Sequence, residues 1–153
     1  MDYDEVASLI EEKRDVTVDF GTHDSEIVPS QKRIEETEKR LGVKLPPSYI
    51  WLLKNYGGGT VFGDDIYAIS KSYSEQDMFD VASKTIADRN QGFLNDNEIA
   101  ICTTDFGEQF VMDTSTKSDD GEYPVVRKMG DARKQVADNF VDFLGRYIGE
   151  QIT

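Results

Sequence analysis

The tightest constraint in this chain is the window from Pro46 to Gly59, PPSYIWLLKNYGGG, which opens on two prolines and closes on three glycines. Pro46 and Pro47 lack amide donors, and the first turn of a helix is the place where that loss matters least. Gly57, Gly58 and Gly59 allow backbone angles that a side chain forbids, so the helix stops there and a strand can begin. Between the two markers Tyr49, Leu52, Leu53 and Tyr56 recur at helical spacing as one apolar stripe, while Trp51 points to another side. The chain must therefore seat a short helix on a core and leave it through an extended segment.

The flanks supply the remaining elements. Asp2 followed by Glu5 has the form of a helix cap with its reciprocal acid, and Val6, Leu9 and Ile10 continue at helical spacing to about Lys13. VTVDF alternates Val16, Val18 and Phe20 with Thr17 and Asp19, the period of a half-buried strand, and Gly21 to Pro29 reads as a loop. Ser30 is placed to cap a second helix on which Ile34, Glu38 and Leu41 share a face and Gly42 is the stop. TVF and DDIYAIS, split by Gly63, predict two strand pieces joined by a turn. A helix carrying Met78, Val81, Ala82, Thr85 and Ile86 is expected to start at Ser74 or Glu75 and end near Asn90 and Gly92. EIAICT and EQFVMD, on either side of Asp105, Phe106 and Gly107, predict an antiparallel hairpin. Thr114 to Glu122 reads as a long, mobile loop and PVVRKM as a further strand. Asp131 to Ile148 is expected to close the chain as one helix with Val136, Phe140, Leu144 and Ile148 inward. About four to six short strands with about four helices, and no strict βαβ alternation, predict an α+β fold with a mostly antiparallel sheet. At 153 residues with 38% hydrophobic content, a single domain over 1–153 is expected.

Charge narrows the partners. Thirty Asp and Glu against 17 Lys and Arg leave a net charge of −13, which repels phosphate backbones and anionic lipid heads, and no basic patch offsets it. Neither nucleic acid nor a membrane is an expected partner. No stretch approaches the roughly 20 apolar residues of a membrane helix. The opening MDYDEVASLI is acidic where a signal peptide is basic, so a cytoplasmic location is expected. The acidity sits in two blocks: residues 1–26 hold nine acids and two bases, and residues 96–122 hold eight acids and one base. Such blocks read as solvated surface or as a face that steers a basic partner. The sequence leaves open whether they meet.

Chemistry-bearing motifs are scarce. His23 is the only histidine and has no strained nucleophile turn to serve. Cys102, within the apolar run IAIC, reads as a buried small hydrophobe and cannot by itself form a disulfide or a zinc set. The three glycines follow a helix and lack the Lys-Ser/Thr ending of a phosphate loop. Ser115 and Lys117 stand where a calcium loop needs Asp or Asn. No cofactor and no metal are expected, and nothing here requires an enzyme.

The segment IEETEKRLGVKLPPSYIWLLKNYGGG, residues 34–59, resembles the signature of the SUKH superfamily, the proteins related to the yeast cell-wall synthesis regulators Smi and Knr. Ile34, Glu38, Leu41, Gly42, Leu45, Pro46, Tyr49, Leu52, Leu53, Gly57 and Gly58 fit that pattern in order. Further on, Gly107, Pro124, Val125, Phe140 and Phe143 occupy the places of the later elements, so the resemblance spans about residues 30–148; Tyr56 stands where the family often has Asn. The resemblance implies an α+β domain and, in bacteria, an immunity protein that neutralises a cognate toxin domain, often a nuclease. An acidic inhibitor complements the basic cleft of such an enzyme. The eukaryotic members suggest the alternative, a non-catalytic scaffold or regulatory module. The motif itself is mostly structural, and it brings no catalytic residue with it. The contact surface is expected in the acidic block around the hairpin and its loop: Asp105, Glu108, Asp113, Asp119, Asp120 and Glu122, adjoined by Asp64 and Asp65. Tyr67, Tyr73 and Tyr123 are candidate aromatic anchors. An exposed strand edge leaves a homodimer open.

Overall fold

The protein, seen in a computed structural model that describes residues 1–152, orders its elements as follows. They are α1 (Tyr3–Lys13), β1 (Val18–Phe20), α2 (Gln31–Leu41), α3 (Pro47–Tyr56), β2 (Gly59–Val61), β3 (Asp64–Ile66), α4 (Val81–Asn90), β4 (Glu98–Thr103), β5 (Gln109–Asp113), β6 (Val125–Met129), β7 (Ala132–Ala137) and α5 (Phe140–Ile148). The Pro–Gly window is α3, with the boundaries its end markers predict. The caps also hold: Asp2 accepts from the Glu5 amide at 2.8 Å, Ser30 from the Arg33 amide at 3.2 Å, and Gly42 ends α2 in the left-handed conformation. Glu38 is buried, and its carboxylate accepts from the Leu45 amide at 2.8 Å. That bond locks the turn between α2 and α3, which explains an acid on the buried face of a helix.

All seven strands form one sheet in chain order, β1 to β7, and every neighbouring pair is antiparallel. The fold is α+β as expected, with one strand more than the upper expectation. The additional strand comes from the predicted closing helix, which is in fact β7 followed by α5. Gly130 turns the chain back at φ +57, and Ala137 pairs with Val125 before Asn139 caps α5 by accepting from the Asp142 amide. Val136 and Ala137 suit an inward helix face and an inward strand end equally well, so periodicity alone misleads there. The fourth helix starts at Val81 and not at Ser74 or Glu75. Its cap is Asp80, whose two oxygens accept from the Ser83 and Ser70 amides, both at 3.0 Å. Val16 lies outside β1 and is 77% exposed, because Asp15 turns the chain at φ +62.

One hydrophobic cluster unites Tyr49, Leu52 and Leu53 of α3, Phe140, Phe143 and Leu144 of α5, and Ile99 and Met112 of the central strands. Tyr49 meets Phe140 edge-on at 5.1 Å, and its hydroxyl donates to the Tyr67 carbonyl at 2.6 Å. Gly59 pairs with Phe20 at φ +147, and a Cβ there would lie 1.9 Å from the Asp19 carbonyl oxygen, so only glycine lets β1 approach β2. The β2–β3 hairpin has a two-residue loop, Phe62–Gly63, with positive φ at both (+53 and +80), as the twist of a tight hairpin requires.

A further acid is enclosed at the start of β4. Glu98 is fully buried and accepts from Lys128 Nζ at 2.7 Å, Arg133 Nη2 at 2.8 Å and the Asn95 amide at 2.9 Å. Burial pushes its carboxyl up, but the bonds from Lys128, Asn95 and Arg133 outweigh that and hold it below the ordinary glutamate value. The network ties β6 and β7 to the start of β4. Among the described residues no helix is long and apolar enough to cross a membrane.

Candidate functional site

The residues on which a contact surface was expected fall into three places. Asp64, Asp105 and Glu108 come together around a groove of about 420 Å³ between the β2–β3 turn, the β4–β5 turn and the end of α5. Sequence places Asp64 directly after the Phe62–Gly63 loop and Asp105 and Glu108 around the next hairpin tip, so antiparallel order alone brings the three to one end of the sheet. Tyr147 of α5 forms the floor, and its hydroxyl donates to Asp64 at 2.7 Å. Burial, then the acceptor Asp64, push the Tyr147 phenol well above its ordinary value, so it stays a neutral donor. The floor is part of an aromatic cluster: Tyr147 stacks on Phe143 at 5.4 Å, lies tilted 5.5 Å from Phe110 and meets Phe62 edge-on at 6.1 Å. At the rim Phe106 is 85% exposed and Phe62 41%. Arg127, 3.7 Å from Glu108, is the groove's one lining cation among the described residues.

A second set lies at the opposite, open end of the β4–β5 hairpin. Asp113 accepts from the Ser115 amide at 3.0 Å and hydroxyl at 2.6 Å and sits 3.8 Å from Arg133. Asp119 and Asp120 are exposed, and the Ser118 hydroxyl bonded to Asp120 holds that carboxyl below its usual range. Glu122 is a correction to the expectation of a surface acid. It is buried, accepts from the Ser48 amide at 2.9 Å and hydroxyl at 2.6 Å, and thereby caps the first turn of α3. Two of the three tyrosine anchors need the same correction. Tyr67 is buried with its hydroxyl on Thr103 at 2.9 Å, and Tyr123 is buried with its hydroxyl on the Lys44 carbonyl at 2.9 Å. Tyr73 is half-buried, with the Arg40 guanidinium 3.6 Å above its ring.

Asp65 is separate from both sets. It lines a hollow of about 380 Å³ with Gly57, Gly58, Gly59 and Phe79, and burial, then Asp64, raise its carboxyl. Phe62, Phe106, Tyr147 and Glu150, none of them among the expected contact residues, also line the first groove. The signal for two of them was present: each is a phenylalanine directly before a turn glycine, where turn chemistry favours polar residues.

The groove offers carboxylate acceptors, apolar ring faces and one phenol donor. Cys102, behind it, is fully buried, and burial, then Asp64, push its thiol up to about 12. A thiol in that state is not a nucleophile near neutral pH. Among the described residues, no three His, Cys, Asp or Glu side chains gather as a metal site would need.

A seven-stranded antiparallel meander covered by five helices defines an α+β domain, and an acid-rimmed aromatic groove with an exposed ring at its rim lies at the hairpin tips. A family model described as SMI1-KNR4 cell-wall, SUKH_6, matches residues 31–144. The chain belongs to that family, in agreement with the resemblance of its residues 34–59.

Proposed function

We propose that this chain is a cytoplasmic, non-catalytic immunity protein that binds and neutralises a cognate toxin domain, and that the toxin is a nuclease. Membership of the family supports this role, and the carrying observation is the convergence of Asp64, Asp105 and Glu108 around a groove whose rim bears the exposed ring of Phe106. A nuclease must attract polyanions, so its cleft is basic, and an acidic surface with an aromatic anchor meets it with complementary charge and a hot-spot side chain. The net charge of −13 adds long-range steering.

The test is protection. The chain is co-expressed with candidate nuclease toxin domains, any encoded beside its gene among them, and growth is scored. Wild type restores growth, Asp105→Lys with Glu108→Lys does not, and Asp119→Lys with Asp120→Lys does. Protection lost only by the second pair would move the contact to the loop. Absence of protection, with weak binding to several partners instead, would favour a scaffold like the eukaryotic members.

A further inference from the structure

Phe62 also lines a second hollow, of about 470 Å³, together with Asp15, Val16, Asp19 and Thr60. Acids of both sequence blocks therefore line hollows that share Phe62, Asp15 and Asp19 from the first block and Asp105 and Glu108 from the second. Arg127 is the only cation lining either hollow among the described residues.

Phe62 is an unusual residue for its position. The first place of a two-residue loop with positive φ suits Asn, Asp or Gly, and a bulky side chain there at φ +53 is disfavoured. Its ring meets Tyr147 edge-on at 6.1 Å yet stays 41% exposed, so core packing accounts for only part of it. Phe106, at the neighbouring hairpin tip, is 85% exposed, and Val16 beyond Phe62 is 77% exposed. Apolar groups exposed together inside a ring of like charge mark a docking face, and the charge selects a cationic occupant. The pattern is more specific than acidity alone. Flat apolar rings set among anionic groups are the chemistry of single-stranded nucleic acid, which its binding proteins hold with a cationic track and stacking platforms.

We infer that the two hollows sharing Phe62 act together as a mimic of single-stranded nucleic acid: Phe62 and Phe106 take the place of bases, and the flanking carboxylates take the place of phosphates. Its occupant is the substrate cleft of a nuclease, so inhibition is competitive with substrate. The inference rests on the reading of the chain as a nuclease-neutralising protein and adds the mode of binding.

The experiment uses the full chain, a catalytically inactivated form of the nuclease toxin domain that it protects against in co-expression, and a fluorescent single-stranded oligonucleotide bound to that domain. Adding the protein should release the oligonucleotide at one equivalent. Phe62→Asn, which suits the loop's positive φ, should keep or raise the melting temperature and weaken the complex roughly 30-fold, as the loss of an interfacial hot-spot ring does. Asp15→Lys with Asp19→Lys should weaken it more at low salt than at high salt. A ternary complex of protein, toxin and oligonucleotide would overturn the mimicry while leaving neutralisation standing, and so would wild-type affinity in a well-folded Phe62→Asn variant. Absence of any binary complex would overturn both.

Discussion

The two ends of the β4–β5 hairpin treat the same residue type in opposite ways. At the open end Glu98 is fully enclosed by Lys128, Arg133 and the Asn95 amide, and Glu122, beyond β5, is buried against the first turn of α3. At the turn end Asp105 is exposed, and Glu108 has only a 3.7 Å approach from Arg127. All four belong to one acidic block of the sequence. Enclosed carboxylates must be matched by donors, and once matched they act as staples between distant segments. Those left at a hairpin tip have few donors within reach and contribute a field to solvent.

The comparison can be broken most forcefully at Glu98. Glu98→Gln leaves Lys128 without its counter-charge and Arg133 with Asp113 alone, at 3.8 Å, and since Arg133 can also reach water the loss should be about 3 kcal/mol, the lower end for a broken buried pair. Urea unfolding monitored by circular dichroism measures it. Glu122→Gln should follow at about 2 kcal/mol, the range for a buried charge-assisted bond. If the acid acts through Ser48, adding Ser48→Ala to Glu122→Gln should cost less than the sum of the two single changes.

Acidity sharpens the same contrast. The Glu98 carboxyl is held below its ordinary value of 4.5, so the folded state binds that proton less readily than the unfolded chain. Its contribution to stability is complete above pH 4.5 and disappears as pH falls from there through the lower folded value. Unfolding free energy measured between pH 7 and pH 3 should therefore drop less steeply in Glu98→Gln than in wild type. The smallest expected effect is at the turn end: Asp105→Lys with Glu108→Lys should change stability by no more than about 0.5 kcal/mol, while abolishing protection against the toxin. A loss of several kcal/mol in that pair would show that the tip acids are structural as well.

How far this was legible depends on the range of the cause. Helix α3, the caps at Asp2 and Ser30, the stop at Gly42 and the β4–β5 hairpin follow from bonds and angles within a few residues, and they stand where the pattern placed them. β7 has a local pattern that suits a helix equally well, and its identity as a strand depends on pairing with β6 and on Glu98, which lies 35 residues from Arg133 in the chain. The acids of the groove were identifiable as acids in turns. Tyr67, Tyr123 and Glu122 have the same local signature as surface residues, and what removed them from the surface was the cover of α2, α3 and the loop joining them.

The sequence by itself determined where helices start and stop, which turns are tight, that the chain is strongly acidic, and which family it belongs to. Those properties reside in missing amide donors, positive φ, cap side chains and fixed charge, none of which needs a distant partner. Only the tertiary structure decided that acids of both blocks line hollows sharing Phe62 while Glu98 and Glu122 are enclosed. Solvent exclusion is a property of the packed sheet and helices together, and it sorts identical carboxylates into staples and surface by what happens to cover them.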